Sequence, residues 1–492
     1  MSSPLPVAAS PDSLRSLAPF FTAAGYTETG LNRAGLREVP WRGSPVRPVL
    51  EHKIHDSVLR VLVRLFFFGE RVTAQEATSL LTPETLGLLL ASSMLKTVGT
   101  SFIPTCMLVC FGDMLLACDS VRRTRSNETS DLVLGVNLPT KILARCIVPV
   151  QKGDTLDLGT GCGTLALCAS AFSESVTATD VNPRALAFAE FNAALNGIPK
   201  LSVCLGDRFE PVANRRFDLI VCNPPFFIHP KQRLLYTDNP GELDFFVQDL
   251  IRTGPALLKR GGFLQLLCEW VQVGGESWQE RLKTWFQASG CDVLVLKTYE
   301  IEPADYVLKR AVEASSLHGP STEQALLDHL GYFKRHKVQK IYGGLVTMRR
   351  RSGENWIAYE ETEDAPSKPV GKLLLEYFRT QDVLTNPNGQ TLLGARPRIP
   401  EDVHLVTEST QQDRSWRTER FYIERRSALP KRLAFDPQIA EFIAAFDGTR
   451  TVEDAICALS KAQQWPREQA EENCIRLIRK LGSLGLLEFS RN

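Results

Sequence analysis

The segment FDLIVCNPPFF, residues 217–227, places an asparagine, two prolines and an aromatic ring directly after an apolar run. Proline fixes its own φ and restricts the residue before it, so Asn223-Pro224-Pro225-Phe226 predicts a rigid turn at the end of a buried strand. The residue types suit a planar amide or amino nitrogen, a poor nucleophile because its lone pair is delocalised. The side-chain oxygen of Asn223 could accept one N–H and the backbone carbonyl of Pro224 the other. Both hydrogens held, the lone pair is aimed for attack, while Phe226 offers a face on which a planar group can stack. Orientation of this kind is worth several kcal/mol, out of roughly 7–11 for well-placed reactants. The plainer alternative is a structural Pro-Pro turn.

A second constellation precedes it. In DTLDLGTGCGTLAL, residues 154–167, a short apolar strand runs through Asp157 into Gly159, Thr160, Gly161 and Gly163, and then into a helix. Glycines are needed where backbone turns tightly and approaches a ligand with no Cβ in the way. The spacing is G-x-G-x-G, shorter than the dinucleotide fingerprint G-x-G-x-x-G, so no pyrophosphate need be held. Asp180 closes the next strand in VTATDVN, with Asn182 behind it; an acid there can accept from both hydroxyls of a ribose. Asp207, in GDRFEPV, ends a third strand and could accept from an adenine amino group. Acids at the ends of successive strands fit the rule that ligands bind outside the carboxyl edge of an open sheet.

The elements that must position these residues alternate strand and helix over residues 140–350, the mark of a parallel sheet with covering helices. The expected strands are TLDL, VTATD, LSVCL, FDLIVC, FLQLLCE, DVLVLKTY and GGLVTM, with Ser315–Lys337 as a helical insertion before the last. Upstream, SVLRVLVRLFFF, TAQEATSLL and PETLGLLLASSML predict helices. CMLVCFGDMLLACD predicts a hairpin about Gly112-Asp113, and the order suggests a winged helix. Residues 365–430 predict a connector with some structure of its own; residues 433–492 return to helices. The domain expectation is therefore an N-terminal helical or winged-helix-like domain at 1–130, an α/β domain at 131–355, a connector at 356–432 and a helical or winged-helix-like module at 433–492.

At this point the chain resembles the amino-group branch of class I methyltransferases, marked by [DN]-P-P-[FYW]. DLGTGCG, the D-x-N-P-x-A-L of Asp180–Leu186, GDRFEP, NPPF, GELDFFVQDLI and GGFLQLLCEW are similar to the release-factor glutamine N5-methyltransferase family. The resemblance spans about residues 150–270 at motif level. It implies a seven-stranded Rossmann-like methyltransferase sheet and S-adenosylmethionine as donor. Gly159, Gly161, Asp180 and Asp207 would then hold the donor, with Asp157, Thr160, Gly163, Asn182 and Asn223 around it, and Asn223, Pro224 and Phe226 would hold the acceptor amide. The implied partner is a translation factor. NPPF followed by another aromatic also resembles adenine-N6 and guanine-N2 RNA methyltransferases, so an exocyclic amine of RNA or DNA is the alternative acceptor. A non-catalytic cofactor-binding interaction protein is a third reading.

Composition narrows the rest. With Lys+Arg 57 against Asp+Glu 56, no global field draws the chain to nucleic acid or membrane. RRTR at 122–125, RRR at 349–351 and residues 417–432 are locally basic, read as solvated charge or as a seat for RNA or an acidic partner. The start MSSPLPVAAS lacks the pattern of a secretory signal and no apolar stretch would span a bilayer, so the cytoplasm is expected. Twelve cysteines without CxxC spacing predict reduced, buried thiols. His52 and His55 beside Glu51 have no third ligand near in sequence, and no metal is expected. Glu269 and Trp270 read as packing or as support for the acceptor site. The oligomeric state is not legible.

Overall fold

The computed structural model describes residues 11–36, 52–119, 131–199, 201–230, 240–318, 322–362, 365–386, 388–426 and 431–490. The chain divides into two units: residues 1–144 with 150–363, and Arg145–Pro149 with Asp364–Asn492.

The first unit is built on an eight-stranded sheet. Its strands are β1 (Asp154–Leu158), β2 (Ser175–Asp180), β3 (Leu201–Leu205), β4 (Phe217–Cys222), β5 (Leu258–Val273), β6 (Cys291–Ile301), β7 (Val338–Arg350) and β8 (Ile357–Glu361), lying in the order 8-6-7-5-4-1-2-3. β1 to β5 run parallel, whereas β7 is antiparallel to both β5 and β6. The expected seven strands are all present. The eighth corrects the count: β8, read as part of the connector, extends the edge by pairing parallel with β6. β1 and β4 read as apolar runs because both faces are covered, with Leu156, Leu219, Ile220 and Val221 at zero exposure. The sheet reverses its order between β1 and β4, which opens a crevice at their carboxyl ends.

Helix α1 (Leu138–Cys146) leads into the sheet; α2 (Thr164–Ser170) follows β1, α3 (Pro183–Leu195) follows β2 and α4 (Phe245–Thr253) precedes β5. α3 starts where Asn182 accepts from Arg184 N and Pro183 takes the first turn. The insertion before β7 is larger than read, a pair of helices α5 (Pro303–His318) and α6 (Glu323–Arg335). Gly343 on β7 leaves the room that the Tyr299 ring fills; a Cβ there would lie 2.2 Å from that ring.

Before the sheet, the helix Ser57–Leu62 runs into a π-turn, Val63–Phe67. A short strand, Val72–Thr73, follows, then helices Ala74–Leu80 and Pro83–Ala91 and strands Leu95–Val98 and Ser101–Pro104. Val72–Thr73 pairs with Ser101–Phe102, and Ser101–Pro104 with Leu95–Val98. Asp56, Thr73 and Thr82 cap their helices by accepting from the third residue on. The expected hairpin forms as Cys106–Phe111 and Met114–Asp119, turning at Gly112 with φ +56°. One core joins Leu17, Phe21, Phe66 and Leu108 to Phe188, Phe191 and Leu195 of α3.

The second unit contains the helix Gly371–Leu384, a three-stranded antiparallel sheet (Val403–Gln412, Ser415–Arg425, Lys431–Phe435) and helices Pro437–Ala444, Val452–Gln463 and Arg467–Ser483. Its core gathers Leu384, Ile423, Ile456, Cys474 and Leu481. No helix among the described residues is long and apolar enough to cross a membrane. Among the described residues none of the twelve cysteines is joined in a disulfide.

Candidate active site

At the carboxyl ends of β1, β2 and β4 lies a cavity of about 280 Å³. Gly159, Thr160 and Gly161 form one wall, Asp180 and Asn182 a second, Gly206–Arg208 a third, and Asn223-Pro224-Pro225 a fourth. Segments far apart in sequence therefore meet at one opening, as the sheet order requires.

The glycine loop leaves β1 with Gly159 at φ +73° and Gly161 at φ +55°. A Cβ at either would meet nothing within 4 Å, so a side chain there would project into open space. Gly159 N and Thr160 N both donate to Thr179 O at 2.9 Å, and Gly161 N donates to Asp180 Oδ2 at 3.0 Å. Asp180 Oδ1 accepts from Asn182 N at 2.9 Å. Burial pushes the Asp180 carboxyl up, against the pull of these backbone donors. Asp207 is half exposed at the rim; Arg208 bridges it to Asp249, with contacts of 3.1 and 2.5 Å.

Three expected site residues stand off the cavity. Asp157 lies beneath the glycine loop, where its Oδ2 accepts from Thr160 Oγ1 at 2.7 Å and Ala166 N at 2.9 Å. Gly163 starts α2 at φ +88°, and a Cβ there would sit 3.0 Å from Ala189 Cα; its bareness serves helix packing against α3. Phe226 is buried, and its ring meets Phe227 edge-on at 5.1 Å. The residues after β4 alternate, with Pro224, Phe226 and Ile228 inward and Pro225 and Phe227 less so. That parity turns Phe226 into the core. Phe246 of α4, from the GELDFFVQDLI segment, is the aromatic that lines the cavity instead.

Asn223 lines the cavity, and its Nδ2 donates to Thr140 Oγ1 at 3.0 Å. Its Oδ1 is buried and has no hydrogen-bond partner. Leaving a buried acceptor unmet costs on the order of 1–3 kcal/mol, so such an atom is where a donor from a ligand is expected. Thr140, Asn137 and Leu132–Gly135 also line the site and were missed. The NLPT sequence at 137–140 reads only as a helix start, and no local pattern ties it to β4.

Glu269, buried within β5, accepts from Tyr306 Oη at 2.5 Å, from Arg310 at 3.0 Å and from Tyr299. Tyr306 Oη in turn accepts from Ile228 N at 3.0 Å. Glu269 thus braces the chain leaving the Asn-Pro-Pro turn. The basic run at 349–351 is structural: Arg349 and Arg351 each reach buried Asp292 at 2.7 Å, and Arg350 donates to the carbonyls of Pro255 and Leu258. Residues 122–125 lie outside the described residues. Among the described residues no group of three or more His, Cys, Asp or Glu is gathered as a metal site.

The strand order and the crevice define a class I methyltransferase fold. Residues 135–288 match the family model described as the methyltransferase small domain. A release factor glutamine methyltransferase of Aquifex aeolicus is 43% identical over 75 residues, 15% of this chain and 27% of that one. One from Salmonella typhimurium is 31% identical over 178 residues, 33% of this chain and 60% of that one. The ribosomal RNA small subunit methyltransferase C of Erwinia tasmaniensis is 31% identical over 135 residues, 27% and 36% of the two chains. The chain spans between 27% and 66% of the length of the first curated relatives it matches.

Proposed function

We propose that the chain is an S-adenosylmethionine-dependent N-methyltransferase acting on a protein glutamine side chain, with a translation factor as partner and the cytoplasm as its place of work. The observation that carries this reading is the buried, partnerless Oδ1 of Asn223 at the cavity. The donor fits the other walls: Gly159 and Gly161 leave the space a Cβ would fill, and Asp180 and Asp207 offer acceptors to hydroxyl and amino groups.

The donor supplies an electrophilic methyl on a positively charged sulfur. Gly159, Gly161 and Asp180 would hold that donor, which would supply the methyl and retain the sulfur's electron pair, while the acceptor nitrogen would give up one N–H proton to water. Asn223 Oδ1 and the Pro224 carbonyl hold the two N–H hydrogens of the amide, which turns the lone pair toward the donor. The departing sulfur is neutral, so no side chain need protonate it. Asp180 and the glycine loop would hold the donor; Asp157 acts on it only through its hydrogen bonds beneath the loop, and Gly163 and Phe226 only through packing. We read the helices and small antiparallel sheet over residues 57–104 as a winged-helix-like recognition module.

Charge at the site favours a protein acceptor over a nucleobase. Among the described residues lining the cavity the one cation is Arg208, and Asp207 and Asp249 neutralise it. Cell extract methylated with radiolabelled donor and then digested separates the two acceptors. Label removed by protease but not by nuclease is the expected result; label removed by nuclease overturns the glutamine reading. With Asn223→Ala, transfer should fall about 100-fold while donor affinity, read by calorimetry, stays within about 2-fold. Equal loss of binding would make the turn structural.

A further inference from the structure

Thr140 makes three polar contacts whose directions can be worked out in sequence. Its backbone N–H donates to Asn137 Oδ1 at 2.9 Å, and its hydroxyl lies 2.8 Å from that same oxygen. An atom that receives a backbone N–H is the carbonyl oxygen, so the Asn137 amide is fixed. A threonine hydroxyl has one proton. Donated to Asn137, it is spent, and Thr140 Oγ1 can face Asn223 only as an acceptor. That acceptor, 3.0 Å away, is met only by the NH2 of Asn223. The amide oxygen must then turn to the other side, where it has no partner.

Without this relay the choice would be nearly free. The terminal torsion of asparagine is broad and roughly two-fold, so a half-turn exchanges oxygen for NH2 at little cost. The exchanged amide would present N–H to the N–H of an incoming planar nitrogen, donor against donor. We propose that Thr140, held by Asn137, sets the polarity of Asn223 and is thereby a positioning residue of the acceptor site. The proposal rests on the reading of Asn223 as the group that accepts from the substrate nitrogen. The two asparagines and the threonine come from separate parts of the fold: Asn137 and Thr140 open α1, and Asn223 ends β4.

The test compares full-length Thr140→Val and Thr140→Ala, which lack the hydroxyl, with Thr140→Ser, which keeps it. Selective ¹⁵N-asparagine labelling gives a side-chain NH2 signal, assigned as the one lost in Asn223→Ala, that needs no substrate. It should show slowed proton exchange in the wild type and in Thr140→Ser, and at least 10-fold faster exchange in Thr140→Val and Thr140→Ala. Exchange unchanged in Val and Ala overturns the proposal, as does Thr140→Ser behaving like Val. Turnover with labelled donor should fall roughly 10- to 100-fold in Val and Ala, with donor affinity within about 2-fold and Ser within a few-fold of the wild type. An NH2 signal that responds as expected in a protein that transfers no methyl would fail the N-methyltransferase reading and leave the polarity relay standing.

Discussion

Asp157 supports the glycine loop from beneath. Its carboxylate has no exposure, one oxygen serves Thr160 and Ala166, and the other has no partner. Burial pushes the carboxyl up to about 7, outweighing the two donors that pull it down; the nearby Asp180 charge adds to the rise. The folded state therefore keeps a proton that the unfolded chain releases near pH 4. A raised folded value gives stability that is complete below the unfolded value and is lost as pH rises through the folded one. Relative to Asp157→Asn, the wild type should lose stability from about pH 4 to about 7 and then level off. Urea denaturation of both proteins across that range checks it; parallel curves would mean that Asp157 is ionised in the fold. The sequence places Asp157 beside the glycines but not beneath them. Depth is set by how α2 and β1 pack, and no spacing rule carries it.

At the scale of elements, α3 ties the N-terminal hairpin to the glycine loop. Asn192 Oδ1 accepts from Ala117 N at 2.7 Å, and its Nδ2 donates to Ala117 O at 2.9 Å and to Cys162 O at 2.8 Å. One turn on, Asn196 meets Leu115 in the same two-way manner at 2.9 and 2.8 Å. The two amides thus satisfy backbone groups on the edge of Met114–Asp119 that faces away from Cys106–Phe111. Arg184 extends the seam to buried Asp119, which also accepts from Val133 N at 2.8 Å. Asn192→Leu leaves three buried backbone groups unmet and should cost on the order of 3 kcal/mol. Because Cys162 belongs to the glycine loop, donor affinity should drop several-fold as well. Asn196→Ala should cost about 1–2 kcal/mol with donor affinity unchanged, since it touches no loop residue. Denaturation and calorimetry on the pair decide it; unchanged donor binding in Asn192→Leu would uncouple hairpin and loop. In the sequence, Asn192 and Asn196 read only as polar positions on a helix. Their partners lie 75 and 81 residues away, beyond any local pattern.

For the molecule as a whole, the chain enters its second unit twice, at Arg145–Pro149 and again from Asp364. The two passages are pinned where Val370 N donates to Arg145 O at 2.8 Å. Gly371 follows so closely that a Cβ would lie 1.8 Å from Ile147 O. Gly371→Ala should therefore destabilise by on the order of 2 kcal/mol, a backbone clash that no rotamer relieves. Thermal unfolding of the full chain should show it; an unchanged midpoint would mean that this closure is loose. What the sequence determined by itself were features written between near neighbours. The seven strands, the glycine loop, the rigid turn after β4 and the hairpin about Gly112 each follow from apolar period, φ preference and proline geometry within a few residues. What only the tertiary structure decided were pairings and depths: the eighth strand, the inward parity of Phe226, the layer beneath the loop occupied by Asp157, and the meeting of Thr140 with Asn223. Those depend on which elements pack together, a choice made by burial summed over the whole core rather than by any one stretch of chain.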